Sequence, residues 1–195
     1  MQEEKFSPKD SLQLIDNMIN QAKNRFNQNG FLYLLWGWVI LFCSIGHFIL
    51  LQLNWFKHPE KIWNCWIPAV IFQIIYLSKK KKKETAKTYS EDIISYIWVS
   101  FGICMFVLSL ILAKTNGWER MSSFLLMLYG VPTFLSGIAM QFKPLKFGGI
   151  ICWVLAIVST FLLPIYGLLL LGAAIIAAWI VPGYLLRNKY NKENK

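Results

Sequence analysis

Apolar residues in this chain come in long blocks separated by short polar connectors. Six blocks stand out: Phe31–Leu53, Ile62–Ser78, Ile93–Ala113, Ser122–Met140, Phe147–Leu163 and Tyr166–Leu186. A hydrocarbon core about 30 Å thick takes roughly 20 helical residues, with about 17–25 observed. The second and fifth blocks sit at the short limit. Backbone groups in lipid must be paired internally, which leaves helices or a closed barrel. Barrel strands alternate polar and apolar residues, and these blocks do not alternate. The pattern therefore predicts an all-α fold, a polytopic membrane bundle of six transmembrane helices over residues 31–186.

A different pattern precedes the first block. In SPKDSLQLIDNMINQAKNRFNQNG, Leu12, Ile15, Ile19, Ala22 and Phe26 recur at alternating steps of three and four, with Met18 alongside. That spacing lines one face of an amphipathic helix. Ser7 suits its N-cap, Pro8 its first position and Asp10 the positive end of its dipole, and Asn29-Gly30 stops it. Its polar face is mostly Asn and Gln, whereas membrane-surface helices are usually richer in Lys and Arg. Three docking sites stay open for the apolar face: the cytoplasmic end of the bundle, the bilayer surface, or a protein partner. Residues 1–30 thus form a cytoplasmic tail, and residues 187–195 a basic tail at the other terminus.

Composition agrees with lipid as the solvent. The chain is 56% hydrophobic and 15% charged, against about 45–50% and about 25% for soluble domains. All 20 Lys and Arg and all 10 acidic residues lie outside the six blocks. With the N-terminus inside, 16 of the 20 basic residues fall on the cytoplasmic side, as the positive-inside rule requires. Both termini are then cytoplasmic. The start, MQEEKFSPKD, is polar and mixed in charge, so the first block reads as an uncleaved signal-anchor.

The lysine run Lys79, Lys80, Lys81, Lys82 and Lys83 follows from the same frame. It sits where the second helix leaves the inner face, resists translocation, and meets anionic phospholipid headgroups at roughly 1 kcal/mol per basic residue. A nucleic-acid surface would interleave basic residues with aromatics, which this run does not do. Aromatics mark the interfaces: Tyr33, Trp36 and Trp38 at the inner end of the first helix, Trp55, Trp63 and Trp66 at the first outer loop, Trp118 at the second, and Tyr184 at the last inner exit.

Two stretches echo each other. FLYLLWGWVILFCSI from Phe31 aligns with FLLMLYGVPTFLSGI from Phe124, CWIPAV at Cys65 with CWVLAI at Cys152, and FKHP at Phe56 with FKP at Phe142. The order is kept, so the chain reads as two three-helix units. An odd number of helices per unit inverts the second copy, an arrangement common in secondary transporters.

Little chemistry is on offer inside the blocks. No Asp, Glu, Lys or Arg lies within them, and such residues usually mark ion and proton paths. His47 is the imidazole of the spans. With Thr133 and Ser136 it is a candidate cavity-lining residue, though histidines and hydroxyls in lipid commonly serve interhelical hydrogen bonds. Gly130-Val131-Pro132 should bend the fourth helix, and Pro68 the second. Gly172, Ala173, Ala174, Ala177 and Ala178 place small residues at four-residue intervals, a close-packing face within the bundle or between subunits. The four cysteines, Cys43, Cys65, Cys104 and Cys152, form no CxxC pair or metal spacing and read as buried small hydrophobes. No catalytic motif, metal site or cofactor fingerprint is present in the sequence.

The segments SLQLIDNMINQAKNRFNQNGFLYLLWGW, GVPTFLSGIAMQFKPLKFGGIICWVLAI and WIVPGYLLR resemble a family of small six-helix inner-membrane proteins of Bacteroidota without an established function. The resemblance implies an inner-membrane protein of a Gram-negative bacterium. Two function classes follow. One is a non-catalytic scaffold or sensing component that engages a protein partner or lipid through the cytoplasmic helix and basic loop. The other is a small-solute transporter or transporter subunit, a homo-oligomer built on the inverted units.

Overall fold

The computed structural model describes residues 30–54, 56–83, 89–115 and 117–193, with side chains described at 30–54, 56–79, 92–115 and 117–192. The amphipathic stripe Leu12–Phe26 lies outside the described residues, as do the side chains of Lys80, Lys81, Lys82 and Lys83. The described chain is helical throughout, with no strand among the described residues. In order it forms α1 (Phe31–Leu53), a 3₁₀ segment (Pro59–Cys65), α2 (Trp66–Lys83), α3 (Tyr89–Thr115), a short 3₁₀ turn (Trp118–Arg120), α4 (Met121–Ala139) and α5 (Lys143–Thr160). A last rod follows, made of α6 (Pro164–Ile175), a π-helical turn (Ile176–Ile180) and α7 (Val181–Glu193).

Five helical stretches are long and apolar enough to cross a membrane: Phe31–Leu53, Asp92–Thr115, Trp118–Ala139, Lys143–Thr160 and Pro164–Lys192. The chain is thus a membrane-type helical protein. The second apolar block departs from its expected form. Helix α2 begins at Trp66 rather than Ile62, because Ile62–Cys65 belong to the 3₁₀ segment opened by Pro59. Pro68 consequently falls in the first turn of α2, where a missing N–H costs nothing, and it is not the site of a mid-helix bend.

Helix α1 starts at Gly30, whose φ of 66° lies in the left-handed region. A side chain there would also strike the Gly183 carbonyl and Leu186. The position therefore needs glycine twice over. At its far end α1 stops at Asn54, φ 51°, another left-handed terminator. The chain then doubles back along α1. Trp63 reaches His47, Gln73 reaches Trp36, and the Tyr76 ring lies 4.7 Å from Phe31. The start of α1, the basic end of α2 and the body of α7 therefore share one end of the bundle.

Helix α4 ends in a Schellman turn: Phe142 N–H donates to Gly137 O at 2.9 Å and Gln141 N–H to Ile138 O at 3.0 Å, with Gln141 at φ 52°. The turn lays α5 tightly against α4. A Cβ on Gly130 would overlap the Trp153 ring, and one on Gly149 would lie 2.8 Å from Phe134 N. Gly148 plays the same part towards the last rod, where its Cβ position is 2.6 Å from Ala178 Cα. The core sits among α1, α4, α5 and the rod, around Leu126, Leu145, Cys152, Leu171, Ala174, Ile175, Ala178 and Trp179.

The π-turn has a local cause. Pro182 supplies no N–H to Ala178 O, and its ring would crowd that carbonyl in a regular helix. The widened turn at Ile176–Ile180 relieves the crowding one turn earlier. Helix α4 carries Pro132 in its interior.

Candidate functional site

Thr133 and Ser136 lie on the buried side of α4, both fully shielded. The Thr133 hydroxyl donates to Tyr129 O at 2.7 Å, closing back on its own helix. It also accepts the indole N–H of Trp179 at 2.8 Å. That second bond links the turn after Pro132 to the π-turn of the last rod, so the two irregular places in the core are tied to each other. Trp179 is 2% exposed, and an indole N–H buried in lipid needs such a partner.

Aromatic rings surround the link. Trp179 meets Tyr129 at 4.9 Å and Trp98 at 5.6 Å, Trp98 meets Phe101 at 5.6 Å and Tyr33 at 6.1 Å, and Phe101 meets Tyr129 at 5.5 Å. The Trp98 contacts to Phe101, Trp179 and Tyr33 are edge-to-face, an arrangement that aligns ring quadrupoles favourably. Four separate elements contribute to this cluster: α1, α3, α4 and the π-turn. It fastens α3 to α1, α4 and the last rod. The Tyr33 hydroxyl and Ser136 Oγ are buried as neighbours at its edge, and neither makes a hydrogen bond of regular geometry among the described residues.

His47 lies elsewhere. Its Nδ1 accepts the Trp63 indole N–H at 3.0 Å, and the two rings stand at 87°. His47 therefore faces the 3₁₀ segment, while Thr133 and Ser136 face Tyr129, Trp179 and Tyr33. The structure brings Thr133 and Ser136 onto one face and gives His47 a different set of neighbours. Two surface hollows are described, and none of the three residues lines either. One, of about 280 Å³, lies along Trp38, Leu41, Phe42, Ile45, Gly46 and Ile49 of α1. The other, of about 260 Å³, lies between α3 and α4 at Ile103, Val107, Ile111 and Met127. Both are open and lined by apolar side chains.

The small residues of the last rod divide by face. Gly172, Ala174 and Ala178 are buried, with Gly172 set against Leu41, Ser44 and Ile45 of α1. Ala177 is half-buried and Ala173 is exposed, so the close-packing register is Ala174 with Ala178. The Ser44 hydroxyl fastens the same crossing by donating to Leu168 O. Cys43 and Cys152 are buried as expected, whereas Cys65 and Cys104 are exposed. Among the described residues no group of three His, Cys, Asp or Glu is placed to hold a metal ion.

Outside the spans, the His58 ring and Glu60 carboxylate meet at 2.9 Å on the loop after α1. A bond from its own backbone N–H, helped by His58, holds the Glu60 carboxyl below the usual carboxylate range. Lys79 is exposed. Sequence reading missed the Trp179–Thr133 bond and the aromatic cluster. Their one advance signal was a tryptophan inside an alanine-rich run just before Val181-Pro182.

Comparison with protein-family models, with curated proteins and with solved structures gives no match.

Proposed function

We propose that this is a six-span inner-membrane protein with both termini cytoplasmic, acting as a non-catalytic scaffold or sensing component. On this reading its cytoplasmic helix and basic loop engage a protein partner and anionic headgroups. The observation that carries it is how the polar groups of the spans are used. Thr133, Trp179, His47, Trp63 and Ser44 are each spent on a bond that fastens one element to another, and the described hollows are apolar and face outward. Such a bundle suits a rigid platform. It leaves the specific recognition surfaces to the segments outside the membrane, chiefly the Leu12, Ile15, Ile19, Ala22 and Phe26 stripe and the Lys79–Lys83 run.

Six crossings are supported by the way the second block returns along α1. At about 2.0 Å per 3₁₀ residue and about 1.5 Å per α-helical residue, Pro59–Lys79 covers roughly 35 Å, enough to match α1. Lys79 then lies at the same end as Gly30, Arg187 and Lys189, the end that the charge bias assigns to the cytoplasm.

The alternative, a small-solute transporter or transporter subunit, draws on the inverted units. It is favoured by a reciprocal pairing across the halves: α1 packs on the last rod, and α3 packs on α4. A two-fold axis in the membrane plane would exchange those two contacts. It is disfavoured by unequal packing within the units, since among the described residues α5 packs closely on the last rod and α2 and α3 show no packing of that extent.

The test is co-purification in mild detergent of the full chain and of a chain lacking residues 1–28. The scaffold reading expects a stoichiometric partner that is lost on truncation and also lost in the double substitution Ile15→Asp, Ile19→Asp. Unchanged partners in both variants would end it. Tag accessibility at Lys81 tests the orientation separately.

A further inference from the structure

We propose that Cys43 and Cys65 form a disulfide that staples the 3₁₀ segment to α1. The inference rests on the orientation proposed above, in which this loop faces the extracytoplasmic space. Two residues of the segment are already held against three of α1. The Cys43 thiol lies 3.4 Å from Ile62 O, Ile62 fills the notch left by Gly46, and Trp63 donates to His47 at 3.0 Å. Cys65 stands one 3₁₀ turn beyond Ile62, the residue whose carbonyl the Cys43 thiol approaches. The Cys65 thiol is accordingly a close neighbour of the Cys43 thiol. The other two cysteines have no such arrangement: Cys104 is exposed on α3 and Cys152 is buried in α5.

The pair is also asymmetric in the way disulfide exchange requires. Cys65 is exposed and Cys43 is buried. Cys65 belongs to a segment carrying Glu60, Lys61 and Asn64, all exposed, and lies between Trp63 and Trp66. An external disulfide, RSSR, supplies the oxidising power. Cys65 thiolate attacks one of its sulfurs, forming a mixed disulfide and expelling one RS⁻. Cys43 then attacks the Cys65 sulfur and expels the second. The net change is two thiols plus RSSR giving one intramolecular disulfide plus two RSH. The two electrons and two protons leave with the thiol product. Disulfides persist in extracytoplasmic compartments and are rare in the cytosol.

The experiment uses the full chain in cells of a Gram-negative host. Free thiols are blocked with N-ethylmaleimide before lysis. The protein is then denatured, reduced and labelled with a polyethylene-glycol maleimide that retards it on a gel. The expected result is two labelled sulfurs per chain, falling to none in Cys43→Ser and in Cys65→Ser and staying at two in the double variant Cys104→Ala, Cys152→Ala. Absence of label in the wild type overturns the proposal, as does label that survives in Cys43→Ser. Copper-phenanthroline oxidation of isolated membranes reads proximity without regard to compartment, and Lys81 tagging reads orientation. A reduced pair with Lys81 cytoplasmic sinks the disulfide alone; a reduced pair with Lys81 outside sinks the orientation as well.

Discussion

The two halves of this protein solve the same problem differently. In the C-terminal half, α4, α5 and the last rod press backbone to backbone through Gly130, Gly148 and Gly149, and half of the α4 spanning stretch is buried. In the N-terminal half, α2 leans on α1, and α3 leans on α4 with 6% of its spanning stretch buried. Lipid tails are as apolar as leucine, so leucine-rich faces gain nothing by meeting each other in a bilayer. Close approach at small residues and buried hydrogen bonds are what distinguish a packed helix from a lipid-facing one. The C-terminal half is built around such contacts, and α3 is held by the aromatic cluster at Trp98 and Phe101, with Leu112 buried nearer its end. The lesson is that hydropathy says which helices enter the membrane and very little about which helices hold each other there.

The largest expected effect lies at Gly148. A leucine there must displace the Ala178 backbone itself, since even a Cβ would stand 2.6 Å from Ala178 Cα. We expect loss of a monodisperse protein, or destabilisation of at least about 3 kcal/mol, near the upper end of what overpacking costs. Thermal unfolding in detergent would check it. A Gly148→Leu chain as stable as the wild type would mean that the C-terminal half is no tighter than the N-terminal half.

Next comes Trp179, where both halves meet. Trp179→Ala removes a buried ring that touches Tyr129 and Trp98 and the donor to Thr133. Large-to-small core changes of this kind cost about 3–5 kcal/mol. Trp179→Phe keeps most of the packing and loses the hydrogen bond, about 0.6–1.7 kcal/mol in a membrane. If the ring cluster fastens α3, Trp179→Ala should also raise hydrogen exchange or cysteine labelling along α3, read at Cys104, more than along α5. Equal change in both helices would contradict the fastening role.

How much of this was readable beforehand follows from what periodicity can encode. Block length and charge position gave the helical membrane class, because these depend on one helix at a time. The small-residue face drawn through Gly172, Ala173, Ala174, Ala177 and Ala178, by contrast, takes in Ala173, which is exposed, and Ala177, which is half-buried. The start of α2 was misplaced by four residues because a 3₁₀ turn and an α-helix carry the same apolar residues between Ile62 and Cys65. The π-turn was invisible for a related reason: Pro182 announces a disturbance without saying on which side it is absorbed. The grouping of His47 with Thr133 and Ser136 came from residue type alone. Type cannot tell that Trp63 stands over His47 while Trp179 stands over Thr133, since partners across helices leave no trace in the spacing of either.

A smaller effect is expected where α2 meets α1. Trp36 donates its indole N–H to the Gln73 side chain, an isolated bond in the more open half. Trp36→Phe should cost about 0.6–1.7 kcal/mol, and Gln73→Leu a similar amount. The double variant should cost about as much as either single one, because both remove the same bond. Costs that add in the double variant would show that the two side chains act through different partners and that α2 is anchored elsewhere.

The smallest change should come at Gly102, and its sign is informative. A Cβ at this position meets nothing within 4 Å, in contrast to Gly148. Glycine is disfavoured relative to alanine in a helix interior by about 0.8–1.0 kcal/mol, so Gly102→Ala should leave the protein unchanged or raise its stability by up to that amount. Gly102→Leu should behave alike, with the longer side chain lying among lipid tails beside Ile103 and Phe106, which are 60% and 66% exposed. Both substitutions can be read by thermal unfolding, once in detergent and once in native membranes. A clear loss for Gly102→Leu in membranes but not in detergent would mean that another chain covers α3 in the bilayer. The open face of the N-terminal half would then be an interface, and the contrast between the halves would reflect a missing neighbour.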